Sequence, residues 1–353
     1  MNADSITIPK AVEPNRSLDR VLRALALVGF GFVTPIVRLC RKENPSVQVK
    51  ELWRLLGIPI SAVLVFLGGW SLLSARIDTS LGKLPGPIAV VRQAEALWAD
   101  HVAERARATS FYARLAERNA ALLAENPKAT PVTLVYTGKP TYVDQIVTSL
   151  KTVFTGFLIG SVLAIPLGIF SGLSKTIDAG INPFIQIFKP VSPLAWLPLV
   201  TMIVSATYVS ANPLFPKSFI NSAITVALCS LWPTLINTAL GVSSLDKDLL
   251  NVAKVLRLNW TTKLFKIVIP SSLPLIFTGL RLSLGVGWMV LIAAEMLAQN
   301  PGLGKFVWDE FQNGSSDSLS RIMVAVFTIG VIGFLLDRVM LTVHSMVDFR
   351  EAR

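Results

Sequence analysis

The feature of this sequence that most constrains its fold is a series of long apolar runs with almost no charged residues. A run of 18 or more such residues is long enough to cross the ~30 Å hydrocarbon layer of a membrane as a helix. Three runs carry no charge, and a fourth follows Lys189. Two further runs are interrupted only by Arg281 and Glu295, or by the neighbours Asp337 and Arg338. The six predicted spans are 55–73, 152–173, 191–208, 219–245, 273–297 and 322–343.

The composition agrees with a membrane protein. Only 16% of the 353 residues are charged, against about 25% in soluble domains. This deficit argues against a soluble enzyme, a disordered chain and a coiled coil. The two cysteines, Cys40 and Cys229, predict no disulfide framework. Two histidines are too few for a histidine-based metal site.

The basic residues set the predicted partners and orientation. A net charge of +11 suits a protein that faces an anionic leaflet. Nucleic acid is not an expected partner, because the sequence has no basic helix with interleaved aromatic residues. Nine Lys and Arg residues precede the first span and five lie within 246–270, whereas the loop 299–320 has only Lys305. Because basic loops stay inside, both termini are predicted to be cytoplasmic, including the tail 346–353.

The first 54 residues are predicted to form a cytoplasmic segment. Within them, 24–37 is an uncharged run of about 14 residues, which is short for a span and typical of an interfacial helix. A seventh span is the alternative. A cleaved signal peptide is not expected, since a polar stretch precedes the run and no A-x-A-like site follows it.

The long loop 74–145 is predicted to be a periplasmic helical insert. Its part 90–125 has apolar residues at helical spacing and is bounded by prolines, although Arg105 and Asn119 interrupt the stripe. Two interpretations stay open: a docking platform for a periplasmic partner, and a helical spacer packed on the spans. The stripe consists of Ala94, Leu97, Trp98, Val102, Tyr112, Leu115 and Leu122.

The inner loop 246–270 mixes charges with apolar residues at helical spacing. A helix with such a stripe, lying parallel to the membrane, would offer an apolar contact to a partner surface. The stripe consists of Leu249, Val252, Ala253, Leu256 and Phe265.

At this loop the chain resembles the permease subunits of ABC importers. Their signature reads roughly E-A-A, three residues, G, nine residues, I-x-L-P. The spacing is kept here, but the Glu, the first Ala and the Gly are replaced. The corresponding residues are Asn251, Val252, Ala253, Arg257, Ile267, Ile269 and Pro270.

The resemblance extends from about residue 50 to the end, apart from the insert. The stretch Asn251-Val-Ala-Lys-Val-Leu-Arg-Leu is similar to permeases for nitrate, nitrite, bicarbonate and cyanate. Permeases for aliphatic sulfonates and taurine, which more often keep Glu-Ala-Ala and Gly, are the alternative. The other matching segments are Leu84-Pro-Gly-Pro, Pro193-Leu-Ala-Trp-Leu-Pro198, 277–288, Ala293-Ala-Glu-Met296 and Pro301-Gly-Leu-Gly304.

The resemblance implies a fold and an assembly. The fold is an all-α, six-span bundle of the type I ABC importer permease kind in the bacterial inner membrane. Its first span is 55–73, and the domain 146–345 holds the other five spans and a coupling loop, 243–270. Two permease chains, expected to be identical, form the pore. Two ABC ATPase subunits bind the inner loops, and a periplasmic or lipid-anchored binding protein delivers the substrate.

The resemblance also implies that this chain catalyses nothing and holds no cofactor, because ATP and Mg bind to the ATPase. No G-x-x-x-x-G-K-[ST] motif occurs; the fragment Gly302-Leu-Gly-Lys305 lacks the first glycine and the hydroxyl residue. The residues expected to transmit motion from the ATPase are Asn251, Val252, Ala253, Arg257, Leu258 and Pro270.

Four residues are candidates for the substrate pathway: Arg281, Trp196, Trp288 and Glu295. A charge at mid-bilayer costs about 2.5–3.5 kcal/mol, so Arg281 should face protein or water. Arg281 either attracts an anion or is a structural arginine. Glu295 either gates the outer end or has a structural role. An integral membrane enzyme and a passive channel are the alternatives of other classes.

Overall fold

The structure is a computed structural model that describes residues 31–41, 44–79, 82–209, 213–315 and 317–347. Apart from one hairpin with two strands of two residues each, the regular structure of these residues is helical. The elements in chain order are α1 (Val33–Cys40), α2 (Pro45–Ser74), β1 (Asp78–Thr79), β2 (Gly82–Lys83), α3 (Pro87–Glu125), α4 (Tyr142–Leu173), α5 (Lys175–Phe188), α6 (Pro193–Thr207), α7 (Lys217–Ser243), α8 (Lys247–Val255), α9 (Trp260–Ala298), α10 (Leu303–Asn313) and α11 (Ser318–Val347).

Five helices in the described part of the chain are long and apolar enough to cross a membrane: α2, α4, α7, α9 and α11. A sixth crossing exists if α5 and α6 are one span bent by 102°. The predicted all-helical bundle with up to six spans is therefore confirmed. The third predicted span, 191–208, has a different shape, because α6 has only 15 residues.

The break before α6 has a local cause. Pro190 and Pro193 lack the backbone N–H that continues a helix. Ser192 between them has an extended backbone (φ −63°, ψ 141°), and its Oγ accepts a hydrogen bond from the N–H of Leu194 (3.3 Å). This N-cap starts α6 in a new direction.

The centre of the bundle is α7, which packs against α4 and α9. Small residues of α4 recur every four positions on the face toward α7. A Cβ added at Gly156, Gly168 or Gly172 would lie 2.5–2.7 Å from a backbone carbonyl oxygen of α7. Membrane helices associate closely through such small-residue stripes, because dispersion contacts and not the hydrophobic effect hold them together.

Two spans contain a π-helical turn that ends two positions before a proline. The turn Trp53–Gly57 precedes Pro59, and the turn Leu264–Val268 precedes Pro270. A proline ring clashes with the carbonyl four residues earlier, so the helix widens and pairs five residues apart. Accordingly, the N–H of Ile58 donates to the carbonyl of Trp53 and that of Ile269 to the carbonyl of Leu264.

The insert forms the 39-residue helix α3 and an extended return segment, 126–140. The two polar residues that interrupt its predicted stripe bind neighbouring segments. Asn119 exchanges two hydrogen bonds with the backbone of Val132 (2.9 Å each), and Arg105 pairs with Asp144 at the start of α4. Of the stripe itself, Leu97 is buried, whereas Trp98, Val102 and Tyr112 are exposed.

Residues 1–30 and 348–353 lie outside the described residues. The cytoplasmic tail and most of the predicted N-terminal segment therefore fall there. The described end of the predicted interfacial run 24–37 coincides with the start of α1.

Candidate functional site

The inner loop between α7 and α9 contains the short helix α8. The N–H of Asp248 donates to Asp246 Oδ1 (2.9 Å) at its beginning. Ala253 is buried, whereas Asn251, Leu249 and Leu256 are exposed. Val252 also lies on this helix. The loop thus holds a helix with one exposed leucine, a second exposed leucine directly after the helix, and one small residue packed against the rest of the chain.

The end of α8 has the geometry of a Schellman motif. The N–H of Leu258 donates to the carbonyl of Ala253 (3.1 Å), and Arg257 between them has φ 46°. Glycine is the usual residue at this left-handed position because a side chain costs about 1–2 kcal/mol there. The slot where the family signature has glycine is therefore a backbone requirement, which Arg257 meets at an energetic cost.

After this turn α9 begins, and its first residue contacts another span, α4. The rings of Trp260 and Phe170 stack with centroids 6.4 Å apart. The π turn then leads to Pro270, which is exposed, and Phe265 within the turn is also exposed. The loop is consequently in contact with α4 as well as continuous with α7 and α9.

Arg281 lies within α9 and forms a bidentate ion pair with Asp337 of α11. Its Nε donates to Oδ1 (2.5 Å) and its Nη2 to Oδ2 (2.9 Å). The two side chains are 39% and 40% exposed. A cavity of about 220 Å³ adjoins the pair and is lined mainly by α9 and α11. Arg281 is thus neutralised by a partner on another span, although the described residues leave much of the pair's surface uncovered.

Glu295, near the outer end of α9, is fully buried. Ser149 of α4 donates to its two oxygens (3.0 and 2.8 Å), and the N–H of Gly304 donates to Oε2 (3.0 Å). Ser149 Oγ also accepts from the N–H of Leu303 (2.8 Å). Together these bonds attach the loop between α9 and α10 to α4.

Crowding against the end of α9 explains two glycines of the Pro301-Gly-Leu-Gly304 segment. A Cβ at Gly302 would lie 2.1 Å from Glu295 Oε1, and one at Gly304 would lie 2.2 Å from the carbonyl oxygen of Ile292. The loop therefore approaches the end of α9 more closely than any side chain at these positions allows.

The two candidate tryptophans have different surroundings. Trp288 is buried, and its Nε1 donates to the carbonyl of Ile329 on α11 (3.0 Å), which is a structural contact. Trp196 Nε1 is buried without a hydrogen-bond partner among the described residues, and its ring is 5.7 Å from Phe188. Phe188 also stacks on Trp232, whose Nε1 likewise lacks a partner there.

Apart from the two tryptophans, the predicted residues therefore form three separate groups: the α8 loop before α9, Arg281 within α9, and Glu295 near the other end of α9. Sequence reasoning missed the partners Asp337 and Ser149. An opposite charge in another apolar run could have indicated Asp337, whereas a serine 146 residues before Glu295 carries no such signal. Among the described residues, no three His, Cys, Asp or Glu side chains are grouped to hold a metal ion.

Comparison with known proteins gives the family. The sequence profile of the binding-protein-dependent transport system inner membrane component matches residues 164–350. The nitrate import permease protein NrtB of Synechococcus elongatus is 31% identical over 284 residues, which are 80% of this chain and 87% of that protein. The bicarbonate transport system permease protein CmpB of the same species is 32% identical over 299 residues, 84% of this chain and 91% of that one.

A solved structure of the MetNI methionine ABC transporter aligns with 58% of this chain and 95% of its own, at 12% identity and a TM-score of 0.49. The profile match and the two relatives carry the assignment. This chain belongs to the family of binding-protein-dependent transport system inner membrane components, and it is a multi-pass, non-catalytic permease subunit of an ABC importer.

Proposed function

We propose that this chain forms the membrane pathway for a small oxyanion, nitrate in the first place and bicarbonate as the close alternative. The observation that carries the proposal is the similarity, over at least 80% of the chain, to permeases named for these two anions. The indole N–H groups of Trp196 and Trp232, which have no hydrogen-bond partner within the described ranges, agree with it, since an oxyanion accepts hydrogen bonds from such donors.

The pathway requires a second permease chain. The Arg281–Asp337 pair is well exposed on a single chain although it lies within membrane spans. Contact of charged groups with lipid is costly. A second copy or a water-filled path between two copies would cover the pair, which supports a homodimeric pore.

The inner loop couples this pore to two ATPase subunits, one on each permease. The exposed apolar residues Leu249, Leu256 and Phe265 supply the contact. The bonds of α8 to its own turn and the stacking of Trp260 on Phe170 make the loop a lever that moves α4, α7 and α9 together. Residues Asn251, Ala253, Arg257 and Leu258 lie at or beside this contact, and Pro270 lies at the start of the moving span.

Outside the membrane, a periplasmic or lipid-anchored binding protein delivers the anion. Both termini lie in the cytoplasm of a bacterium, and ATP and Mg bind to the ATPase alone. The fully bonded Glu295 holds the outer loop closed against α4, which is a positioning role and not a contact with the anion.

Reconstituted transport tests the anion and the coupling together. The full chain, its ATPase and its binding protein are placed in liposomes, and uptake of labelled nitrate, bicarbonate and taurine is measured with and without ATP. We expect ATP-dependent uptake of nitrate or bicarbonate. Uptake of taurine alone would support the sulfonate branch, and uptake without ATP would support a passive channel; either result contradicts the proposal.

Crosslinking tests the inner loop by itself. Single cysteines are introduced as Asn251→Cys and Leu258→Cys in a chain carrying Cys40→Ser and Cys229→Ala, together with cysteines in the ATPase groove. We expect crosslinks whose yield changes with nucleotide. The matched control is Ala116→Cys on the insert, which should give none. A uniform absence of nucleotide-sensitive crosslinks at the two loop positions contradicts the coupling role.

A further inference from the structure

The insert helix α3 has an apolar face that the described part of the chain leaves uncovered. Ile88, Val91 and Trp98 are exposed there, the last by 61%, while Val90 and Leu97 on the other side are buried. These exposed residues recur at three- and seven-residue spacing and so share one side of the helix. The surroundings of these three side chains depend on how deep in the membrane α3 begins.

Two independent spans give that depth. Trp70 of α2 donates from Nε1 to the carbonyl of Pro85 (3.1 Å), and its ring is 5.2 Å from that of Phe327 of α11. Trp70 precedes Arg76, where the apolar run of α2 ends, by six residues, or about 9 Å of helix. Phe327 follows Arg321, at the outer end of α11, by the same number. The carbonyl of Pro85 thus lies beside the last two turns of α2 and the second turn of α11, at most about 9 Å beneath the outer charged boundary.

The next turns of α3 continue upward along α11. Val90 packs in one cluster with Val324 and Ala325, and Leu97 belongs to the same cluster with Phe306 of the outer helix α10. His101 Nδ1 lies 2.7 Å from Thr141 Oγ1, the N-cap of α4. Thr141 precedes Lys151, at the boundary of the apolar run of α4, by ten residues. The helix therefore leaves the membrane between its first and fourth turns.

The chemistry of the segment fits this position. Residues 84–91 carry no charge, and Arg92 is the first charged residue. An arginine there is long enough to reach the headgroups. Unpaired backbone groups are costly within the hydrocarbon. Here the N–H of Leu84 donates to the carbonyl of Ile77 (3.0 Å), and Pro85 and Pro87 have no N–H, which lowers the number of donors that need a partner. Trp98 is a residue type enriched at the headgroup level.

We propose that the segment 84–98 lies in the outer leaflet of the membrane and that its uncovered face binds phospholipid. Ile88 and Val91 contact acyl chains, and Trp98 lies at the headgroups. The insert is therefore not a purely periplasmic element: it begins in the bilayer, which holds the rest of α3 at a fixed angle above the outer mouth of the bundle.

Spin-label accessibility tests this placement. Nitroxides are attached to Ile88→Cys, Val91→Cys and Trp98→Cys, one at a time, in the full chain with Cys40→Ser and Cys229→Ala, reconstituted in phosphatidylglycerol–phosphatidylethanolamine liposomes. Collision with oxygen, which concentrates in lipid, is compared with collision with a water-soluble nickel chelate. Ala116→Cys on the outer part of α3 is the aqueous control, and Val65→Cys on α2 is the lipid control.

We expect the oxygen-to-nickel ratio at 88 and 91 to approach that of Val65→Cys, to exceed that of Ala116→Cys several-fold, and to be intermediate at 98. Low accessibility to both reagents would mean that a second protein chain covers the face. High accessibility to nickel would mean that the face is in water. Either pattern at both Ile88→Cys and Val91→Cys overturns the proposal. If one of the two variants does not fold, the result at the other decides.

Discussion

At the scale of single residues, the outer loop depends on the absence of side chains. Gly302 and Gly304 lie where any Cβ would overlap Glu295 or the end of α9. The carboxylate of Glu295 accepts bonds from two other segments, so it cannot move aside without losing them. Burying a carboxylate is costly unless its oxygens are hydrogen-bonded, and this one is bonded throughout.

Gly302→Ala should destabilise the protein by about 1–3 kcal/mol, because the new methyl group lies 2.1 Å from Glu295 Oε1 and the loop must shift. The measurement is the apparent midpoint of thermal unfolding of the purified protein in detergent. The matched control is Gly330→Ala in α11, where nothing lies within 4 Å of the new carbon and the midpoint should not fall. Equal midpoints for the two variants would contradict the crowding.

Arg257→Gly should stabilise the turn after α8 by up to about 1 kcal/mol. The substitution removes the cost of a side chain at φ 46°, and part of the gain is lost to the greater entropy of glycine in the unfolded chain. Hydrogen exchange of the peptide containing 253–258 should become slower. Asn259→Gly, at an ordinary φ of −60°, is the control and should make exchange faster. Faster exchange in Arg257→Gly would refute the explanation.

At the scale of secondary-structure elements, polar contacts connect neighbouring helices within an otherwise apolar bundle. Arg281 connects α9 to α11, and Ser149 connects α4 to α9. The remaining contact between α4 and α7 is made by small residues. The bundle is thus held by close backbone approach in one layer and by a few specific bonds in the other.

The Arg281–Asp337 pair should show energetic coupling. Arg281→Gln and Asp337→Asn should each lower the unfolding midpoint, and the double variant should lose less than the sum, with a coupling of roughly 0.5–3 kcal/mol. Each single variant leaves one charge without its partner. Strict additivity would mean that the pair contributes nothing.

Transport separates this structural role from a role in the pathway. If Arg281→Lys and Arg281→Gln import the anion with normal rate and affinity, Arg281 does not serve the pathway. If the affinity for the anion falls in Arg281→Gln while the double variant Arg281→Gln with Asp337→Asn regains stability, Arg281 serves both the pathway and the structure.

The local stability of the return segment of the insert, 126–140, should depend on pH. Tyr136 donates to Glu104 Oε1 (2.7 Å), and this bond lowers the pKa of Glu104 below its usual 4.5 and raises that of Tyr136 above 10. A carboxyl group whose pKa is lower in the folded than in the unfolded protein stabilises the fold at pH values above its unfolded pKa. This stabilisation is lost as the pH falls through the folded pKa. Tyr136→Phe should therefore speed hydrogen exchange of 126–140 most at neutral pH and less once Glu104 is protonated in acid, because a neutral carboxyl is a weaker acceptor than a carboxylate. An unchanged neutral rate would show that the bond does not hold the segment.

At the scale of the whole molecule, the arrangement has an inner, a central and an outer part. The helix α8 follows α7 on one side of the bundle, and the Glu295 loop follows α9 on the other. Because α9 connects them, motion of the inner loop can reach the outer loop through one helix. The insert adds a further outer element that is attached at Thr141 and Asp144.

The orientation of this arrangement predicts opposite labelling of two positions. In chains with Cys40→Ser and Cys229→Ala, Ala116→Cys should react with a membrane-impermeant maleimide in right-side-out vesicles, and Asn251→Cys should react only in inside-out vesicles. The physical reason is that the basic residues of the inner loop keep it in the cytoplasm. Labelling of Asn251→Cys from outside would reverse the topology and remove the ATPase contact.

Local patterns predicted much of this fold. Hydropathy located the spans, the helical stripe with its prolines located α3 within three residues of its beginning at Pro87, and spacing located the inner loop that contains α8. The bend between α5 and α6 was missed because an uncharged run has no directional information. The sequence indicated that Arg257 replaces the glycine of the family signature. Only the structure shows that this position has a left-handed φ.

The sequence by itself thus determined that the chain is a helical membrane protein, because the transfer of apolar residues into lipid depends on composition along the chain. It also predicts which loop faces the cytoplasm, because basic loops are retained there. Only the tertiary structure decided which side chains meet. Ser149 and Glu295 are 146 residues apart, and Arg281 and Asp337 are 56 apart. Such pairs depend on how each helix is rotated and how deep it lies, and those are set by the packing of all the helices together.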